Sequence, residues 1–253
     1  MTPDEYLAGI LRRISVPTGT LGPGNQVLAG LTPTIRGWAS TQLVEVKLSG
    51  SYAKNTSIVG GTDVDLFISL SSTTSQTLKE IYSSLAHYFS GKGYTVRRQN
   101  VSIGITYTGK AVDLVPGKKQ SAYGSDHSLY VSRQDTWTKT NVDTHIRTVS
   151  DSRHVDVIKL VKHWRTLHNL DFPSFAVELS VLKALDGVWL TGLADRFLKV
   201  LEFFRDRITV AALPDPANVS NNVANDMAAT QKSAIVSAAR ASLGKQNWNQ
   251  ILW

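Results

Sequence analysis

The chain has 253 residues, 27 Lys and Arg against 20 Asp and Glu, a net charge of +7, and no cysteine. The missing cysteines exclude a disulfide framework and any thiolate metal site. No apolar run is long enough to span a bilayer, and Met1–Glu5 has neither the basic head nor the apolar core of a signal peptide. A cytoplasmic protein without a membrane partner is expected. The length suits one large domain or two modest ones.

Tyr6, Leu7, Ile10 and Leu11 recur at helical spacing and predict a helix over 4–13. The Pro/Gly-rich stretch Val16–Gly24 breaks it, and a second helix is expected over 25–42. Leu43–Leu48 reads as a strand, with Val44, Val46 and Leu48 alternating against Glu45 and Lys47. A Gly50-Ser51 turn should open a short helix over 51–57, and Val64–Ile68 reads as the next strand. Ser71–Ser75 is a polar turn and capping segment. Behind it Leu78, Ile81, Tyr82, Leu85, Tyr88 and Phe89 mark an amphipathic helix ending at Gly91. Strands are expected over 94–98, 101–107 and 110–115, the last closed by the turn signal Pro116-Gly117.

After about residue 150 the pattern becomes helical. Val155, Ile158, Val161, Trp164 and Leu167 form one stripe of a helix that stops near Asn169. Further helices are expected over 174–189, with Val177, Leu182, Leu185 and Trp189 on its stripe, over 191–211, and over 224–243. There is no internal repeat. The chain therefore reads as an α/β (α+β) protein: a mixed sheet with helices over 1–149, then a helical domain over 150–253, with a ligand expected between the two.

The chemistry concentrates in Gly50-Ser51 and in Asp63-Val64-Asp65, with a third acid in Ala111-Val112-Asp113-Leu114. Side chains two apart on a strand share a face, so Asp63 and Asp65 project together. Hard carboxylate oxygens side by side suit Mg²⁺ (or Mn²⁺) that takes its other oxygens from water and a nucleotide's phosphates. Three acids on two strands suggest a two-metal site, because three close carboxylates repel one another without cations. The plainer alternative has Asp63 capping a turn and the other two solvated. At Gly50 and Ser51 the backbone can approach a phosphate, or the pair is an ordinary strand-to-helix turn.

The order Gly-Ser, Asp-hydrophobic-Asp-hydrophobic and a later strand aspartate resembles the DNA polymerase β-like nucleotidyltransferase superfamily. Two further segments resemble the branch of oligoadenylate synthetases, bacterial cyclic GMP-AMP synthase-like enzymes and archaeal-type CCA-adding enzymes. Trp137-Thr138-Lys139-Thr140-Asn141-Val142-Asp143-Thr144-His145 is similar to their Trp-x-x-Thr-Asn-Pro-x-x-His, with Val142 where a proline is usual. Asp215-Pro216-Ala217-Asn218-Val219-Ser220-Asn221-Asn222-Val223 is similar to their Asp-Pro-x-x-Pro-x-Asn-Asn-Val, with Val219 for a proline. The resemblance covers residue 40 to the end. It implies a polymerase β-like mixed sheet followed by an oligoadenylate synthetase-like helical domain. It also implies catalysis by Asp63, Asp65 and Asp113 through two Mg²⁺ (or Mn²⁺) ions.

The same resemblance assigns Gly50 and Ser51 to phosphate, and a lysine of the 155–169 helix to the triphosphate. Lys159 and Lys162 are three apart on one face, away from the apolar stripe, where a solvated face is the competing account. Lys54 is either a phosphate contact or a solvated turn lysine. Ser174 and Phe175 stand where the family has a Ser-aromatic pair at the nucleobase. Phe175 can stack without offering a hydroxyl, or it can be core. The partners implied are nucleoside triphosphates, with RNA as activator or acceptor; the dispersed basic residues fit a nucleotide cleft and an RNA face equally. Two products compete: a cyclic or linear oligonucleotide second messenger of the kind made in antiviral defence, and an extended RNA 3′ end. A non-enzymatic binding module would require the acids to be lost, and all three are present.

Overall fold

The computed structural model describes residues 1–17, 19–61 and 63–253; of the Val16–Gly24 link, Thr18 lies outside the described residues. The chain forms two compact units. One comprises Pro17–Asn55 and Thr62–Arg147, the other Met1–Val16, Thr56–Gly61 and Thr148–Trp253.

The first unit is built on a mixed sheet. Its strands are β1 (Leu43–Leu48), β2 (Val64–Leu70), β3 (Arg97–Arg98), β4 (Ile103–Tyr107), β5 (Lys110–Lys119), β6 (His127–Val131) and β7 (Thr136–Thr140). The order is β1-β2-β5-β4-β3, with β6 joining β5 to β7. Among the described residues β2 and β5 are the one parallel pair, and they form the centre. Helices α1 (Pro3–Ile14), α2 (Pro23–Ala39), α3 (Gly50–Ala53), α4 (Leu78–Gly91) and α5 (Val142–Ser150) occur along this part of the chain. Val64, Leu66 and Ile68 of β2, with Val112 and Leu114 of β5, pack on Val27, Leu31 and Ile35 of α2 and Ile81, Leu85 and Phe89 of α4. Alternation sends Asp65, Phe67, Asp113 and Val115 to the other face, where Phe67 and Val115 meet Leu129 and Val142.

Several expectations need correction. Val44 is 53% exposed, because a bulge between Leu43 and Glu45 on the edge strand β1 breaks the alternation. Pro116-Gly117 does not end its strand; β5 runs on to Lys119. On the far side of β5, pairing to β4 ends at Leu114 and pairing to β6 starts at Lys118, and this gap accommodates a residue without an N–H. Strands β6 and β7 and helix α5 were not anticipated. The cap of α4 is Thr77, outside the expected Ser71–Ser75 segment. Its hydroxyl accepts from the Glu80 N–H while Glu80 accepts from the Thr77 N–H. Thr77→Ala should therefore lower unfolding free energy by about 1 kcal/mol in a urea titration.

The second unit gathers α1, α6 (Val155–Leu167), α7 (Ser174–Leu185), α8 (Leu193–Asp206) and α9 (Ala229–Leu243), with a hairpin of β8 (Pro214–Asp215) and β9 (Asn218–Asn222). Helix α6 is central, touching α1, α7 and α8. Trp164 is fully buried, stacks near Phe204, and donates its indole N–H to Ser242 Oγ at 2.9 Å. Burying a side chain of that size contributes roughly 3 kcal/mol. Helix α7 stops at Leu185, short of the expected 189, because Gly187 takes φ +67°. Trp189, expected on its apolar stripe, is 94% exposed instead. Among the described residues no helix is long and apolar enough to cross a membrane.

Candidate active site

Asp65 and Asp113 are direct partners across the parallel pair β2–β5, so their carboxylates leave adjacent strands on one face. Asp63 stands just before Val64, the first residue of β2, and is exposed; of the two acids expected to share a strand face, Asp65 lies within the strand and Asp63 does not. Burial, and then the charge of Asp63, push the Asp113 carboxyl above its ordinary range, against the pull of Gln99, Arg97 and Ser102. Among the described residues no group of three or more His, Cys, Asp or Glu side chains is arranged to hold a metal ion. Like charges repel, and Asp113 turns to neutral donors: Gln99 Nε2 donates to its Oδ1 at 3.0 Å. Gln99 and Ser102 were missed in the sequence, where a polar hairpin tip carries no recognisable signal.

Gly50 sits at φ +55°, and a Cβ there would fall on the Asp65 carboxylate. The Ser49 N–H donates to the Asp65 carbonyl at 2.8 Å, tying the turn to β2. Gly50 is thus fixed twice, by its backbone angle and by the carboxylate beside it. Ser51 is 6% exposed, and its Oγ is buried with no hydrogen-bond partner among the described residues. A buried hydroxyl without a partner is costly, which suits it to a ligand's oxygen. Lys54, at the end of α3, is buried at 6% exposure, so the solvated-lysine account does not hold.

The other four expected residues lie in the helical unit. Lys159 and Lys162 are buried at 9% and 2% exposure, not on a solvated face, because α6 is enclosed by its neighbours. Burial lowers the Lys159 ammonium pKa, and Asp156 offsets this in part. Lys162 Nζ donates to Glu178 Oε1 at 2.7 Å and to Thr56 Oγ1 at 2.8 Å. Thr56 Oγ1 also lies 2.8 Å from Glu178 Oε1. Ser174, exposed at the start of α7, accepts from Arg165 Nη1 at 3.0 Å. Phe175 is partly buried against the helical core.

Both family-like segments have structural work to do. Asn141 donates to Asp126 Oδ1 at 2.8 Å and accepts from the Thr144 N–H at 3.0 Å at the start of α5. Val142 is the first residue of α5, a position where proline is favoured, so the substitution is compatible with the local backbone. Asn222 Oδ1 accepts from the Leu213 and Ala224 N–H groups and closes the β8–β9 hairpin.

No family model and no curated protein matches the chain. Solved structures do. CdnC of E. coli MS115-1 with ATP is 22% identical, with a TM-score of 0.72 over 95% of this chain and 90% of that one. The CdnE cyclic dinucleotide synthase of Elizabethkingia meningoseptica, with GTP and Apcpp, is 13% identical, with a TM-score of 0.73 over 97% of this chain and 100% of that one. The Cid1 poly(U) polymerase with MgATP is 13% identical, with a TM-score of 0.70 over 97% of this chain and 95% of that one. The chain shares its fold with these CdnC, CdnE and Cid1 structures.

Proposed function

We propose that the chain is a metal-dependent nucleotidyltransferase that moves a nucleoside monophosphate from an NTP to a hydroxyl, releases pyrophosphate, and makes a cyclic or linear oligonucleotide messenger. The observation that carries this is the lateral pair Asp65 and Asp113 on one sheet face, with Gly50 held against Asp65. The sheet-bearing part serves as the catalytic domain and the C-terminal helices as the second domain. Asp63, Asp65 and Asp113 form a hard, all-oxygen donor set. Burial, and then the charge of Asp63, disfavour ionised Asp113, a penalty that bound cations would relieve. When bound by these three residues, two Mg²⁺ or Mn²⁺ ions would activate the attacking hydroxyl and neutralise the leaving pyrophosphate.

The chain's own groups account for the rest. The unpartnered Ser51 hydroxyl donates to a phosphate oxygen, and Gly50 lets the backbone approach it. Lys54 and Lys159 supply positive charge, and Phe175 and Ser174 serve the nucleobase. Phosphate binding by Lys162 requires its bond to Glu178 to be exchanged. An aspartate accepts the hydroxyl's proton.

A non-hydrolysable NTP with Mg²⁺ at 100 times its dissociation constant should stabilise the protein by about 2.7 kcal/mol, and EDTA should remove most of the shift. A shift unchanged by EDTA would mean that the carboxylates do not hold the triphosphate through metal. The second reading, extension of an RNA 3′ end, is favoured by the likeness to the Cid1 poly(U) polymerase.

A further inference from the structure

We propose that Gln99, braced by Ser102, is a positioning residue that fixes the orientation of the Asp113 carboxylate; this rests on the reading of Asp113 as catalytic. Gln99 and Ser102 stand at the two ends of the link between β3 and β4, whose pairing is Arg97 with Gly104 and Arg98 with Ile103. The Gln99 N–H donates to the Ser102 carbonyl at 3.0 Å. Its carbonyl accepts from the buried Tyr82 hydroxyl at 2.6 Å and from Ser132 Oγ at 2.8 Å. The backbone of Gln99 is therefore held from three sides before its side chain is considered.

The side-chain assignment follows from donor and acceptor chemistry. An ionised carboxylate only accepts, so the amide nitrogen faces Asp113 Oδ1 at 3.0 Å. The amide oxygen then faces Ser102 Oγ at 2.6 Å. The single hydroxyl proton of Ser102 goes to this short contact, and its 3.4 Å approach to Asp113 Oδ2 is secondary. The result is a directed chain, Ser102 to Gln99 to Asp113, that occupies one carboxylate oxygen with a neutral donor.

Gly104 shows that the space is reserved. It is the antiparallel partner of Asp113. A Cβ on it would lie 2.9 Å from Gln99 Nε2, 3.2 Å from Arg97 Nη2 and 3.3 Å from Asp113 Oδ1. Amide, guanidinium and carboxylate thus meet over a residue without a side chain. Partners one step behind metal-binding or reacting groups commonly change affinity or rate by about 10–100-fold when removed.

The test compares the parent with Gln99→Met, Ser102→Ala and Asp113→Asn by steady-state NTP turnover, by Mn²⁺ binding followed by electron paramagnetic resonance, and by thermal melting. Gln99→Met keeps the length and removes the donor. It should lower kcat about 10–100-fold and weaken Mn²⁺ binding, with KM for NTP within about threefold of the parent. Ser102→Ala should give a smaller loss of the same kind, and both should melt as the parent does. The proposal is overturned if both variants keep kcat and Mn²⁺ affinity while Asp113→Asn is inactive. It is also overturned if kcat, KM and melting temperature deteriorate together, the mark of a merely structural contact. Should Gln99→Met fail to fold, Ser102→Ala decides alone by the same readouts. Full activity in Asp113→Asn would instead remove the underlying reading.

Discussion

Asp65→Asn and Asp113→Asn should each lower turnover by about two or more orders of magnitude while leaving the unliganded protein folded. Asparagine keeps the shape of aspartate and one acceptor oxygen, so Gln99 can still donate to position 113. What it loses is charge, and with it the capacity to hold two cations beside a triphosphate. Stability should hold or rise. In the parent, burial and the neighbouring Asp63 disfavour the Asp113 carboxylate, and a neutral side chain relieves that penalty. Turnover assays beside thermal melts separate the two effects. Full activity in either variant would sink the assignment of these residues.

Glu178→Leu should be the most destabilising of the single substitutions considered, by about 3–5 kcal/mol. Side chains of Lys162 and Glu178 are 3% and 2% exposed, and their contact is 2.7 Å. Removing the carboxylate leaves an ammonium in the helical core without its counter-charge, which costs more than the pair itself contributes. A drop of 3–5 kcal/mol corresponds to roughly 6–20 °C in melting temperature for a chain of this size. The double variant Lys162→Met/Glu178→Leu should recover most of the loss, because no unpaired charge remains buried. Equal melting temperatures for single and double variants would show that the ion pair is not what the fold depends on.

Much of the sheet-bearing unit was legible because its strands are short apolar runs between turn residues. Strand β1 begins and ends at the expected Leu43 and Leu48, and the runs around Asp65 and Asp113 become the parallel pair at the centre. That pairing itself is not written locally. It arises because α4 and the β3–β4 hairpin intervene in the chain and return β5 beside β2. Strand β7 was missed because Thr136–Thr140 lacks an apolar alternation and gains its partner from β6 at the sheet edge. Lys159 and Lys162 looked like a solvated face because a charge pattern does not reveal that a helix is enclosed on all sides. Gln99 and Ser102 were invisible for a related reason: their role depends on a carboxylate eleven or more residues away in the chain.

The measurement closest to the central claim is product analysis after incubation with the four NTPs and Mg²⁺ or Mn²⁺, with and without an RNA bearing a free 3′-hydroxyl. Messenger synthesis predicts pyrophosphate release without RNA, in products that plateau at a few nucleotides. It further predicts weak, salt-sensitive RNA binding without sequence preference. Extension of the RNA, with nothing formed from NTPs alone under any RNA-free condition, would contradict it.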